Sequence, residues 1–326
     1  LSKAPKMLFS KDGPLFLRWS YLPRLAPFLR KYLGHGNATD VNRIADGLTL
    51  LLQDTADQHL AVAKGTGAEK YIQVGDYLFG YADRAAYEAD KFGWDIRRAR
   101  GYEIEELDAD RVGEIDPAMA GRFGFGVRCP GHGHISDPGA YVKALADHVI
   151  QQGGKFIQAE ATDLLKDAQA ITGVVTSCGD VEADDVVLAT GVWSGPLAQK
   201  LGINVPMEAE RGYHIEFVNP SVMPRCPLMV ASGKFVITPM EGRLRCAGIV
   251  EFGGLTEERS RAPLELLKRQ TLKLIPELEY ERIDEWMGFR PSTSDSLPLI
   301  GASERHSNVW TGFGHQHIGL TAGPKT

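Results

Sequence analysis

Gly288–Gly301 reads GFRPSTSDSLPLIG, Ser307–Gly312 reads SNVWTG, and Gly312–Gly323 reads GFGHQHIGLTAG. The first piece predicts a strand from Tyr280 to Phe289, stopped by Pro291, which has no N–H to give a ladder. Arg290 is thereby expected at a strand end. Its guanidinium is a planar, permanently charged fork that matches a carboxylate better than a flexible lysine does. A surface salt bridge is the plainer alternative. The second piece predicts a buried strand at Asn308–Thr311. Gly312, Phe313 and Gly314 follow as a turn, and His315 opens a helix carrying Ile318 and Leu320. A strand, a glycine turn and a helix start make an anion-receptive corner, because the first helical N–H groups lack internal partners. Glycines 312, 314 and 319 would let a flat ligand approach the backbone.

Working outward, 326 residues exceed the roughly 250–300 at which a single core stops growing, so two packed domains are expected. The chain is 43% hydrophobic and 24% charged, as soluble proteins are, and no run of 18 apolar residues occurs to span a bilayer. Cysteines 129, 178, 226 and 246 are dispersed without C-x-x-C spacing, which suggests reduced thiols in a cytoplasmic protein rather than a disulfide framework or zinc site. Net charge is −6, yet residues 1–34 hold seven bases (Lys3, Lys6, Lys11, Arg18, Arg24, Arg30, Lys31) against Asp12 alone. Interleaved Leu15, Phe16, Leu17, Trp19, Tyr21, Leu22, Leu25, Phe28, Leu29 and Tyr32 fit either a membrane-surface anchor on the inner face or a core-packed helical segment, broken by prolines 14, 23 and 27, with a solvated basic face. An acidic chain with its bases clustered at one end is a poor nucleic-acid binder. His132 with His134, and His315 with His317, lack neighbouring ligands at metal spacing, so no metal is expected. Neither a G-x-S-x-G elbow nor a Walker A sequence is present.

Along the chain, Val41–Ala63 has helical spacing through Ile44, Leu48, Leu51, Leu52, Ala56 and Leu60. Tyr71–Val74 and Tyr77–Tyr81 read as a hairpin about Gly75-Asp76. Asp83–Lys91 and Asp108–Ile115 read as helices, and Phe123–Cys129 as extended chain. Asp137-Pro138 opens a helix that ends at Gly153-Gly154. Lys155–Ala159 reads as a strand, Ile171–Ser177 with Val181–Glu182 as a hairpin, and Asp185–Ala189 as a buried central strand running into Thr190-Gly191. Glu208–Phe217, Leu228–Met240 and Arg243–Glu251 alternate as half-buried antiparallel strands do, and Pro263–Leu274 is helical.

In combination, G-x-R-P at Gly288–Pro291, D-x-x-P-x-x-G at Asp295–Gly301 and G-H-x-x-x-G-L-T at Gly314–Thr321 resemble the C-terminal signature of the D-amino-acid oxidase superfamily of flavoproteins. ADDVVLATGVWSGPLA at 183–198 resembles the second half of its flavin-binding domain. RGYHIEF at 211–217, followed by P-x-x-G-x-L-R-x-A-G-x-x-E at 239–251, is similar to the substrate domain of its bacterial D-amino-acid dehydrogenases. The basic N-terminal region fits that subgroup more loosely.

The resemblance implies an α/β fold of mixed α+β character: a Rossmann-like FAD-binding domain, incomplete at its N-terminus, with an antiparallel-sheet substrate domain. The implied division is a helical joining segment at 1–64, a substrate domain at 65–135 and 205–284, and an FAD-binding domain at 136–204 and 285–326. The implied cofactor is non-covalent FAD, touched by Ala161, Thr190, Gly191, Trp193, Gly314, His315, Gln316, Ile318, Gly319, Leu320 and Thr321. Arg290 would hold a substrate carboxylate, Tyr213 and His214 would cover the amino acid, and His317 falls where a related glycine oxidase has a second cationic residue. The implied reaction is oxidative deamination of a D-amino acid, with oxygen or a membrane quinone as electron acceptor. Glycine, sarcosine or a cyclic imino acid stand as alternative substrates, and a non-catalytic membrane-peripheral or assembly module as the alternative of another class. No strict G-x-G-x-x-G occurs, so the chain is expected to be a fragment beginning after the first βαβ unit.

Overall fold

Alternation in Met207–Val218 shows how the larger sheet is built, with Tyr213, Ile215 and Phe217 buried on one side and His214 and Glu216 turned to the other. A computed structural model describes residues 10, 12–167 and 170–326 and divides them into two units. The first holds residues up to Trp19, Leu52–His148 and Arg211–Gly288; the second holds Ser20–Leu51, Val149–Glu210 and Phe289–Thr326.

The nine-stranded sheet runs in the order Arg282–Thr293, Met207–Val218, Arg243–Phe252, Phe235–Met240, Leu228–Val230, Ile72–Tyr81, Phe125–Ile135, Glu105–Asp108. Leu15–Leu17 adds a parallel strand against Val250–Phe252. The apolar side of the sheet, with Phe217, Leu244, Cys246, Phe235 and Leu228, packs with Leu264, Leu266 and Leu267 of the helix Arg261–Leu274. In the second unit Val186–Leu188 pairs parallel with Val309–Phe313, which pairs antiparallel with Leu299–Ala302. Leu188, Val309 and Phe313 share a core with Leu197 and Ala198 of the helix Ser194–Lys200. Ala161–Lys166, Ile171–Thr176 and Gly179–Glu182 form a separate antiparallel sheet.

Several elements differ from the sequence reading. The strand Arg282–Thr293 runs through Pro291 instead of stopping at it. It is the terminal strand of its sheet, so a missing N–H there costs no ladder bond. Its pairing is framed by Glu281 N–H donating to the Val218 carbonyl at 2.9 Å and Ser294 N–H to the Pro206 carbonyl at 3.0 Å. Gly75-Asp76 is not a hairpin turn: Ile72–Tyr81 is one strand with a register shift between Gly75 and Tyr77, and Asp76 ion-pairs with Arg128 at 2.7 Å. The long helix divides into Ala38–Leu52 and Thr55–Ala63, because Asp54 leaves helical geometry at φ −124. Lys155–Ala159 joins no ladder among the described residues, and Phe156 and Ile157 are exposed.

The helix expected from His315 is only Gly319–Ala322, since Gly314 and Gln316 adopt positive φ (86 and 51). Four residues sum few peptide dipoles, so little of the expected helix-end charge remains. In the basic N-terminal segment, Leu15–Leu17 is a sheet strand, and one helix, Leu22–Gly34, runs through Pro27 with Leu25 and Phe28 buried. Lys3, Lys6 and Lys11 lie outside the described residues. No described helix is long and apolar enough to cross a membrane.

Candidate active site

In the second unit, the strand carrying Arg290 is fastened to the glycine turn. Ser292 bridges His315, and Gln316 N–H donates to the Pro291 carbonyl at 3.1 Å. Gly314 cannot be replaced here, because φ is +86 and a Cβ would stand 2.8 Å from the Thr293 methyl. His315 is buried, its Nε2 is 3.0 Å from Thr326 Oγ1, and burial pushes its pKa below the ordinary histidine value. From His317 through Thr321 the chain is open apart from half-buried Ile318, and Leu320 is exposed. His317 keeps contact with solvent, yet desolvation by the surrounding protein and then the Arg290 charge lower its pKa. A neutral imidazole near pH 7 makes it a weak second cation.

The other expected cofactor residues share this unit. Thr190 Oγ1 lies 3.0 Å from Ser194 Oγ, Gly191 has φ +59 with open space where a Cβ would stand, and Trp193 is exposed with its ring edge-on to Phe289 at 6.0 Å. Ala161 opens its strand opposite Thr176. Gly191 and Gly319 leave accessible backbone and Trp193 an exposed indole, the kinds of surface a flat ligand uses. Sequence reading missed Glu210 in this neighbourhood. Burial raises its pKa, while the Arg290 charge and the Ser292 hydroxyl pull it back down.

Tyr213 and His214 belong to the first unit and point to opposite faces of their strand. Tyr213 is 1% exposed; its hydroxyl donates to Glu251 Oε2 at 2.7 Å and accepts from Ser260 N–H at 3.2 Å. Glu251 also pairs with fully buried Arg211 and accepts from Ser260 Oγ at 2.7 Å. The tyrosine is therefore placed inside a buried polar network. His214 is on the polar face, stacked on Trp286 at 4.8 Å and 15°, with Nδ1 3.0 Å from Arg245 Nη2 and Nε2 3.6 Å from Glu216 Oε1. Arg245 and Trp286 were not singled out from sequence either, although both lie in strands whose alternation was legible.

This arrangement has the fold of flavin-dependent amine oxidoreductases. The structure is similar to glycine oxidase from Bacillus cereus ATCC 14579, with a TM-score of 0.75 at 21% identity over 85% of this chain and 77% of that one. It is also similar to L-proline dehydrogenase from P. horikoshii, with a TM-score of 0.69 at 21% identity over 83% and 75%. In sequence, the chain is 35% identical to the D-amino-acid oxidase of Bradyrhizobium diazoefficiens over 99% of its own length and 78% of that protein. It is 29% identical to a D-amino acid dehydrogenase of Rhizobium rhizogenes, over 98% and 78%. The family model DAO, FAD dependent oxidoreductase, matches residues 34–326. The chain belongs to the DAO family of FAD-dependent oxidoreductases, and FAD is its cofactor.

Proposed function

We propose that this chain oxidises the Cα–N bond of a D-amino acid, with Arg290 holding the α-carboxylate. Support for the reading comes from the fastening of the Arg290 strand to the Gly314–Gln316 turn and from the Arg290 charge reaching exposed His317. The relatives' names, D-amino-acid oxidase and D-amino acid dehydrogenase, favour the D configuration. Bound FAD supplies the acceptor for a hydride from Cα. Arg290 orients the amino acid by a two-point grip on its carboxylate, so that the amine and the Cα hydrogen take fixed directions. The substrate reacts with a neutral amine; loss of the Cα hydrogen with two electrons leaves an iminium, which water converts to a 2-oxo acid and ammonia. Glu210 lies within electrostatic reach of Arg290, although burial raises its pKa. Thr190, Gly191 and Trp193, together with Gly314–Thr321, would hold the cofactor. Oxygen or a quinone then removes the electrons.

Arg290→Ala tests the carboxylate assignment. Removing one partner of a desolvated charge pair costs about 2–5 kcal/mol, roughly thirtyfold to several thousandfold in kcat/KM. A loss below threefold would remove Arg290 from the site.

A further inference from the structure

In the second unit, Arg290 has a carboxylate for a neighbour on the next strand. The strand carrying Arg290 lies beside the one that opens at Met207, and the Ser294 N–H bond to the Pro206 carbonyl sets their register at this end. Four residues inward from that bond on each strand, Arg290 stands across from Glu210. Opposed residues of an antiparallel pair turn their side chains to one face, with Cβ atoms about 4.5–5.5 Å apart. Glu210 is half-buried there, and the hydroxyl of Ser292, two residues on from Arg290, favours its ionised form.

The other groups around Glu210 are accounted for by name. On its own strand Glu208 adds negative charge, but that carboxylate already accepts from the Tyr21 hydroxyl at 2.9 Å and from Ala209 N–H at 2.8 Å. The helix Leu22–Gly34 brings Tyr32, whose ionisation is opposed by burial and then by Glu210. The turn brings His317, whose protonation is opposed by burial and then by Arg290. Arg290 supplies the positive charge that works against the burial of Glu210. A carboxylate ligand that takes the guanidinium fork cancels that charge. A half-buried glutamate deprived of its cation binds a proton more readily.

We infer that Glu210 is a positioning residue that competes with the substrate's α-carboxylate for the Arg290 fork, so that carboxylate binding is coupled to uptake of a proton by Glu210; this rests on the assignment of Arg290 to the α-carboxylate proposed above. Ionised, Glu210 engages the guanidinium itself. Protonated, it leaves the donors to the incoming ligand. The proton comes from water, and no covalent bond to the ligand changes.

The test uses FAD-loaded protein with benzoate and propanoate, carboxylates that have no amine to oxidise, and reads binding from the flavin absorbance between about pH 5.5 and about pH 9. A site that takes up one proton on binding loses affinity by up to about tenfold per pH unit across the window in which that proton is gained. The wild-type Kd should rise about threefold or more over the range. Glu210→Gln, which keeps the shape and cannot ionise, should lose more than half of that rise on a logarithmic scale. His317→Asn should keep more than half of it, which separates Glu210 from the imidazole that also feels the Arg290 charge. A smaller wild-type rise overturns the inference even if the glutamine variant fails to fold. So does a rise that Glu210→Gln mostly leaves or that His317→Asn mostly removes. If neither carboxylate binds, or if Arg290→Ala leaves binding unchanged, the parent reading fails instead, and that outcome is distinct from binding at Arg290 without a proton.

Discussion

Glu251→Gln strikes the buried network of the first unit at its centre. The Glu251 side chain is 5% exposed and that of Arg211 is 0%, so the two charges face each other with almost no solvent. Glu251 also accepts from Tyr213 and Ser260, each at 2.7 Å, and lies 3.8 Å from Arg18. Glutamine keeps the shape, but it removes the charge and turns an NH2 donor toward groups that themselves donate. Arg211 retains the Thr256 carbonyl at 2.9 Å and loses its only carboxylate among the described residues. Breaking one side of a buried pair costs about 3–5 kcal/mol. That raises the unfolding equilibrium constant roughly a hundredfold to several thousandfold. Urea unfolding of FAD-loaded protein, followed by tryptophan fluorescence, measures it. The double variant Glu251→Gln with Arg211→Met should cost less than the sum of the single changes, because no orphaned charge remains. A single-variant loss under about 1 kcal/mol, or strict additivity, would refute the reasoning.

Other substitutions test individual placements. Tyr213→Phe should lower stability by about 1–3 kcal/mol, the range for a buried group left without its partner, and the loss should appear in the urea midpoint more than in kcat/KM; the reverse pattern would return Tyr213 to the substrate. Gly288→Ala should push the Trp286 indole off His214, costing about 1 kcal/mol because the half-exposed ring can swing aside. An unchanged near-ultraviolet tryptophan dichroism would contradict that packing. For Glu210→Gln the effect depends on pH. A carboxyl whose folded pKa is raised binds more protons folded than unfolded, so it contributes stability below the unfolded value of about 4.3 and loses that contribution as pH rises through its folded value. The glutamine variant should therefore gain on the wild type as pH rises above about 4.3; a constant or shrinking difference would show that Arg290 outweighs burial.

Much of this architecture was written in local pattern. DVVLAT and SNVWTG are short apolar runs with few places to go except a parallel pair in a core, and Val186–Leu188 lies against Val309–Thr311. Parity could have placed Tyr213, since Ile215 and Phe217 share its side of the strand and their apolar character marks that side as core. Pro291 was misread because edge status is a property of the sheet, not of the residues around the proline. The helix at His315 failed on a backbone fact, positive φ at Gln316, which glutamine rarely signals. Glu210 and Arg245 escaped notice because their chemistry is made by partners distant in the chain. Arg245 stands out only through His214, 31 residues earlier, whose Nδ1 lies 3.0 Å from its Nη2.

The reaction proposed for this protein is transfer of the Cα hydride of a D-amino acid to its bound FAD. Anaerobic mixing of the yellow protein with a D-amino acid and, separately, with its L enantiomer tests it most directly through the flavin absorbance band. Full bleaching by the D form is expected, at a rate that saturates with its concentration, with slow or absent bleaching by the L form. Bleaching by neither enantiomer across acidic, amide and apolar side chains, with FAD bound, would contradict it.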